Sequence, residues 1–282
     1  MLVREAERLA RRSLTEAGRD SPALSARLLL AHVLGTDHTG ILLKADEELS
    51  ASQSAAFFAL VERRRRGEPV AYLLGRREFY GLDFQVNAAT LIPRPESEHL
   101  VDCVLSHEDR ARPLFFADLG CGSGNLGIAL AHHCPLWRGF LLDTSSAALA
   151  VARENSRQHG LAERLGCIRA NLARLPFANA SLSFLVANPP YIAFEERHEV
   201  MAEVLDFEPH TALFAEDHGY AMLAKAIEEA SKHLLPQGGI YLEHGATQAA
   251  RVRQLLAENF TDIGSLRDLA GHERVSFGRL KA

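Results

Sequence analysis

The chain has 282 residues, of which 47% are hydrophobic, enough apolar material for two modest cores. Its 31 Lys and Arg stand against 36 Asp and Glu, a net charge of −5 that argues against a general nucleic-acid-binding surface, which needs a basic excess. Cys103, Cys121, Cys134 and Cys167 form no Cys-x-x-Cys pair and no apolar run nears a membrane span, so a disulfide scaffold, a zinc site and a membrane anchor are disfavoured and a reducing, cytoplasmic setting is expected.

The N-terminus is Arg-rich but carries Glu5, Glu7 and Glu16, unlike a signal or transit peptide. The first part reads as a helical bundle. Ser21-Pro22 is a cap followed by proline at the first helical position, Leu24, Leu28 and Ala31 share one face, and Gly35 can end that helix. Ser50 with Gln53 gives a capping-box pattern ahead of Phe57, Leu60 and Val61, and Gly67 stops the helix. Arg63 to Arg66 reads as a solvated run that favours the helix C-terminal dipole. From Glu78 to Pro93 the texture shifts to Gly, aromatic and β-branched residues, and Phe79, Phe84 and Val86 suggest a β hairpin. Arg94 and Glu96, set between prolines, read as a surface pair. The expected organisation is therefore a helical domain over residues 1–75, a β-hairpin linker over 76–96 and a second domain over 97–282.

In the second domain apolar strands and helices alternate, which implies an α/β doubly wound sheet with sites at the strand C-terminal ends. Pro113 to Ala117 is a strand candidate leading into Asp118-Leu119-Gly120-Cys121-Gly122-Ser123-Gly124, and Leu126 to Ala131 resumes with helical spacing. Glycines allow a tight turn and close approach of backbone to ligand, and the following helix N-terminus offers unpaired N–H groups. A dinucleotide loop wants glycine at position 125, where Asn125 stands, so the spacing favours S-adenosylmethionine over NAD. The next run, Phe140 to Leu142, ends at Asp143, nineteen residues after Gly124, where an acid can accept from ribose hydroxyls; Ser145 or Ser146 then caps a helix through Arg153. His132-His133-Cys134 has metal-ligand residue types, but adjacent helical residues face different ways and no second cluster completes a tetrahedron, so no metal site is expected.

The apolar run Leu182 to Ala187 reads as a buried strand and is followed by Asn188-Pro189-Pro190-Tyr191. The prolines fix φ and lack N–H groups, so the Asn188 side-chain oxygen and the Pro189 carbonyl stay presented as two acceptors, with the Tyr191 ring as a flat support. A planar NH2 group between them donates both hydrogens, which suits a side-chain amide or an exocyclic amine. A plain strand-ending turn would use the same residue types.

These motifs resemble those of the release-factor glutamine methyltransferases, the HemK/PrmC family. The resemblance covers nearly the whole chain: Gly67-Glu68-Pro69 with Tyr72 and Gly75, Glu78 to Gly81, Leu91 to Glu98, Phe207-Glu208-Pro209, Ala212 to Phe214, Glu243 and Asp268 to Gly271 accompany the two site motifs. It implies a Rossmann-like class I S-adenosylmethionine-dependent methyltransferase sheet and N5 methylation of the glutamine in the Gly-Gly-Gln loop of peptide chain release factors. It further implies Asn188, Pro189, Pro190 and Tyr191 as catalytic residues. The cofactor would be bound by Gly120, Cys121, Gly122, Ser123, Gly124, Asp143, Asn171, Leu172 and Asn188, with Arg94 near it. Asn171 departs from the family's Asp near the adenine, Leu172 from a larger apolar or aromatic residue, and Ser97 from Thr. The partner implied is a peptide chain release factor, and neither stable nucleic-acid binding nor a membrane is expected. Glutamine methylation of a ribosomal protein, which Arg94 to Glu98 fits poorly, adenine N6 methylation of a flipped base, and a cofactor-binding protein without catalysis stay open at this point.

Overall fold

The computed structural model describes residues 1–172 and 174–282 and divides into two compact units, Met1–Arg76 with Met201–Phe207, and Arg77–Val200 with Glu208–Ala282. The first unit contains α1 (Val3–Glu16), α2 (Pro22–Leu34), α3 (His38–Leu43), α4 (Ala51–Arg65) and α5 (Val70–Leu74). Ala6, Ala10 and Leu14 of α1 close on Ala26, Leu29 and Leu30 of α2 and on Phe57 and Val61 of α4. The expected capping box forms, with Gln53 N donating to Ser50 Oγ at 3.1 Å and Ser50 N to Gln53 Oε1 at 2.9 Å. Gly35 ends α2 with φ 60°, also as expected.

Three details differ. Ser21 is itself left-handed, at φ 44°, and its side chain makes no cap bond. Leu24 and Leu28 are exposed while Ser25, Ala26, Leu29 and Leu30 are buried. Because α2 is apolar on most sides, its periodicity selects no unique face, and packing against α1 and α4 decides. Arg64, expected in solvent, is buried: its Nη1 donates to the Glu68 carbonyl at 3.1 Å and to the Glu203 carboxylate. Arg63, Arg65 and Arg66 stay at the surface on Glu68 and Glu62.

The second unit, from the second residue of β1 onward, holds the hairpin β1 (Arg76–Phe79) and β2 (Leu82–Gln85), then α6 (Glu98–His107), β3 (Phe115–Leu119), α7 (Asn125–His133), β4 (Arg138–Asp143), α8 (Ser146–Gln158), β5 (Leu165–Arg169) and β6 (Leu182–Ala187). After the short β7 (Ile192–Ala193), α9 (Ala202–Phe207, grouped with the first unit) and β8 (Phe214–Ala215) come α10 (Ala221–His233), β9 (Leu234–Glu243), α11 (Ala249–Ala257), β10 (Phe260–Arg267) and β11 (Glu273–Leu280). A seven-stranded sheet has the order β10-β11-β9-β6-β3-β4-β5, parallel from β9 to β5 and antiparallel at the β10–β11 edge.

Both faces of the sheet are covered, as the near-continuous apolar strands require. Phe116, Phe184 and Tyr241 face α6 and α7, and the Phe116 and Phe184 rings stack 5.0 Å apart; the alternate residues Ala117, Leu185 and Ile240 face α10 and α11. The hairpin is more than a linker in its packing. Phe79 and Phe84 enter the core with Phe116, and Gln85 N donates to Asn155 Oδ1 of α8 at 2.7 Å.

Candidate active site

Strand order reverses between β3, which leads on to β4 and β5, and β6, which neighbours β9 on the other side. The loops leaving the C-terminal ends of these two strands flank a crevice, the usual ligand position of an open α/β sheet. A cavity of about 300 Å³ lies there, lined among others by Gly120, Gly122, Asp143, Leu172, Asn188 and Pro190.

The glycine loop is held from beneath. Gly122 N donates to Asp143 Oδ2 at 3.0 Å, while Asp143 Oδ1 accepts from Ser145 N at 2.8 Å. Ser145 Oγ in turn accepts from Ala148 N at 3.1 Å, so Ser145, rather than Ser146, caps α8. Ser123 is buried, its carbonyl accepting from Asn155 Nδ2 at 2.9 Å, and its hydroxyl meets Asn125 Oδ1 at 3.2 Å. Cys121 packs in the core, where burial pushes its thiol well above the ordinary range. Gly120, Cys121, Gly122 and Ser123 also line a small adjoining cavity of about 30 Å³ with Ser97 and Asn188. Gly124 lines neither cavity. A Cβ there would meet Ile128, Ala152 and Leu141 at 3.0–3.2 Å, so this glycine serves the packing of α7.

Asp118, at the head of the motif, lies under the loop. Its Oδ2 accepts from Gly127 N at 2.9 Å, its Oδ1 has no partner among the described residues, and burial together with the nearby Asp143 charge pushes its carboxyl up to about 7. Beyond β5, Ala170 and Leu172 line the cavity while Asn171 is exposed and does not. Asn171 opens a tight turn in which its carbonyl accepts from Arg174 N at 3.0 Å, and Leu172 within that turn is the side chain buried toward the cavity.

Asn188 follows the last residue of β6, the strand whose bounds match the expected Leu182 to Ala187. Its Nδ2 donates to Ser97 Oγ at 3.1 Å. With the NH2 engaged there, the acceptor Oδ1 is the group left for the cavities that Asn188 lines. Pro189 is buried and Pro190 lines the larger cavity. Tyr191 packs its ring against the apolar cluster with α10 and α11, where burial raises its phenol far above the ordinary value, and its carbonyl accepts from Gln248 Nε2 at 3.0 Å. Gly219, at φ 85°, makes this approach possible: a Cβ there would stand 2.1 Å from the Tyr191 carbonyl oxygen.

Several supporting residues lay beyond the motif reading. Glu208 is buried and accepts from Ile92 N at 3.0 Å and Arg94 Nη2 at 2.6 Å, so Arg94 pairs with Glu208 rather than forming the expected surface pair with Glu96. Ser97, Glu243 and Gln248 are likewise buried around the Asn188 to Tyr191 turn. Their signal was the family resemblance around Leu91 to Glu98, Phe207 to Pro209 and Glu243; Gln248 had none. Among the described residues no group of three or more His, Cys, Asp or Glu is arranged to hold a metal ion.

Comparison with known proteins fits this geometry. Residues 5–75 match the family described as PrmC N-terminal domain, and residues 116–207 match a methyltransferase domain. The release factor glutamine methyltransferase of Nitratidesulfovibrio vulgaris is 40% identical over 279 residues, covering 96% of this chain and 93% of that protein. The chain belongs to the release factor glutamine methyltransferase family. The family's members from Burkholderia pseudomallei, 43% identical with 92% of each chain covered, and Vibrio cholerae, 36% identical with 99% and 97% covered, agree. Membership makes the chain a methyltransferase, and the α/β sheet described above is the class I fold of such enzymes. Among the described residues no helix is long and apolar enough to cross a membrane.

Proposed function

We propose that this enzyme methylates the side-chain amide nitrogen of the glutamine in the Gly-Gly-Gln loop of peptide chain release factors, with S-adenosylmethionine as donor. The observation that carries the reading is Asn188, whose NH2 is taken by Ser97 so that its oxygen is offered at a cavity shared with Gly122 and Asp143. The residues fit the cofactor: Asp143 has lone pairs left for ribose hydroxyls, Gly120 and Gly122 leave room beside the backbone, and Leu172 and Pro190 give apolar contact. Asn171, exposed, would touch the adenine less than the resemblance implies. Bound there, S-adenosylmethionine supplies a methyl made electrophilic by its positive sulfur.

An amide nitrogen is a poor nucleophile because its lone pair is delocalised into the carbonyl. Asn188 Oδ1 and the Pro189 carbonyl would accept its two N–H bonds, raise electron density on nitrogen and fix its direction. Tyr191, expected as a flat support for the amide, lines neither cavity and packs its ring against the apolar cluster, so its part would be to anchor the turn that carries Asn188. A glutamate carboxylate has no hydrogens to give to these acceptors, so it should be rejected by about 10⁴-fold or more. Residues 1–75 are proposed to provide the platform for the protein substrate and residues 97–282 to carry the chemistry, with the hairpin of 76–96 between them in sequence; the reaction needs neither nucleic acid nor membrane. The test is transfer of label from S-adenosylmethionine to an intact bacterial release factor, beside its Gly-Gly-Gln→Gly-Gly-Asn variant and an adenine-containing duplex. Label on the intact release factor alone supports the reading; label on the duplex moves the enzyme to base methylation.

A further inference from the structure

Glu243 closes β9 directly beside the site. The parallel register sets Ala187 against Leu242, so the next positions along the two chains are Asn188, just after β6, and Glu243, the last residue of β9. The Glu243 side chain is 2% exposed and its Oε2 has no partner among the described residues. The groups facing it are Ser97 and Glu96 from the turn Pro95–Ser97, Asn188 and Tyr191 after β6, and Arg274 on β11. Arg274 gives its Nε to Asp268 Oδ2 at 3.0 Å, so it is not a dedicated partner. Burying a carboxyl is unfavourable unless it is hydrogen-bonded, and an apolar side chain would close the strand at less cost.

We propose that Glu243 and Ser97 are a positioning pair that fixes which way the Asn188 carboxamide points, an inference resting on the reading that Asn188 holds the substrate amide. Ser97 is 1% exposed and has one hydrogen and two lone pairs. When the Glu243 carboxylate takes that hydrogen, Ser97 Oγ acts only as an acceptor, and the Asn188 group facing it is Nδ2, as found at 3.1 Å. The reversed carboxamide would set Asn188 Oδ1 against two acceptors. Once Glu243 is a neutral donor, Ser97 is free to donate to Oδ1, and Asn188 turns NH2 toward a substrate NH2, which cannot pair. Glu243 thus acts through Ser97 and Asn188 and touches no substrate.

The test uses the full chain with Ser97→Ala, Ser97→Thr and Glu243→Gln. The Asn188 side-chain NH2, assigned by its loss in Asn188→Asp, is followed by ¹⁵N–¹H spectroscopy without substrate. It should exchange slowly with solvent in the parent and in Ser97→Thr, and about tenfold faster in Ser97→Ala and Glu243→Gln. In methyl transfer to the release factor, the last two should lose about 100-fold in kcat with the KM for S-adenosylmethionine within about threefold, Ser97→Thr should restore most activity, and the double variant should be no worse than either single one. Unchanged exchange in Ser97→Ala and Glu243→Gln overturns the inference. So does a loss in which Ser97→Thr is as poor as Ser97→Ala. If the parent methylates no release factor the functional reading fails, while the exchange measurement still decides the positioning pair.

Discussion

Gly122 N lies 3.0 Å from Asp143 Oδ2, and this one hydrogen bond ties the loop after β3 to the acid that closes β4. The loop and the acid are therefore a single device, in which moving the carboxylate also moves the glycine backbone. Both Asp143 oxygens already accept one N–H and keep a lone pair for a ligand hydroxyl.

Asp143→Asn keeps the size of the side chain but replaces one acceptor with a donor, set against either Gly122 N–H or Ser145 N–H. Affinity for S-adenosylmethionine should fall about tenfold or more, about 1.4 kcal/mol, while kcat at saturating cofactor falls less. Isothermal titration checks this; an unchanged Kd would remove Asp143 from the cofactor site.

Gly219→Ala places a methyl 2.1 Å from the Tyr191 carbonyl in a backbone region that disfavours side chains. The cost should be about 1–3 kcal/mol of stability. Activity should fall further than that loss explains, since the Asn188 to Tyr191 turn is displaced. Urea unfolding together with kcat at a temperature where the variant is folded separates the two effects; a normal kcat would mean that the turn does not need this close approach.

Asp118 makes stability depend on pH in a definite direction. Its carboxyl rises from 3.8 to about 7 on folding, so between those values the folded chain holds a proton that the unfolded chain has released. Its favourable contribution is full below about pH 4 and is lost as pH rises toward and through 7. The stability of the parent relative to Asp118→Asn, whose side chain carries no titrating proton, should therefore decline from pH 5 to pH 8. Thermal unfolding of both proteins across this range checks the sign, and a flat difference contradicts it.

Much of this was legible in the sequence because it is local. Leu182 to Ala187 is a charge-free, largely apolar run that stops at Asn188 and a proline pair, and its strand ends where the sequence places it. The Ser50–Gln53 box and the Gly35 stop are equally local. The partners of Arg64 and Arg94 are not: Glu203 and Glu208 lie more than a hundred residues away, and nothing in the pattern around an arginine names a distant carboxylate. The buried face of α2 failed for another reason, since Leu24, Leu28, Leu29 and Leu30 are alike in chemistry and only packing distinguishes them. Around the candidate site, motifs marked the residues that offer atoms to a ligand, and the family resemblance included Ser97 and Glu243, but their placement beside Asn188 comes from the β6–β9 register and from burial, which only the folded sheet supplies.

In the proposed reaction Asn188 presents its oxygen to a glutamine amide. The most direct test is tandem mass spectrometry of a release factor incubated with S-adenosylmethionine and either the parent enzyme or Asn188→Ala, with cofactor affinity measured for both. One methyl on the side-chain nitrogen of the Gly-Gly-Gln glutamine is expected with the parent. Asn188→Ala should lose about 100-fold or more of that product while its cofactor Kd stays within about threefold. A methyl at another atom, or an Asn188→Ala enzyme that still modifies the glutamine at the parent rate, would contradict the account.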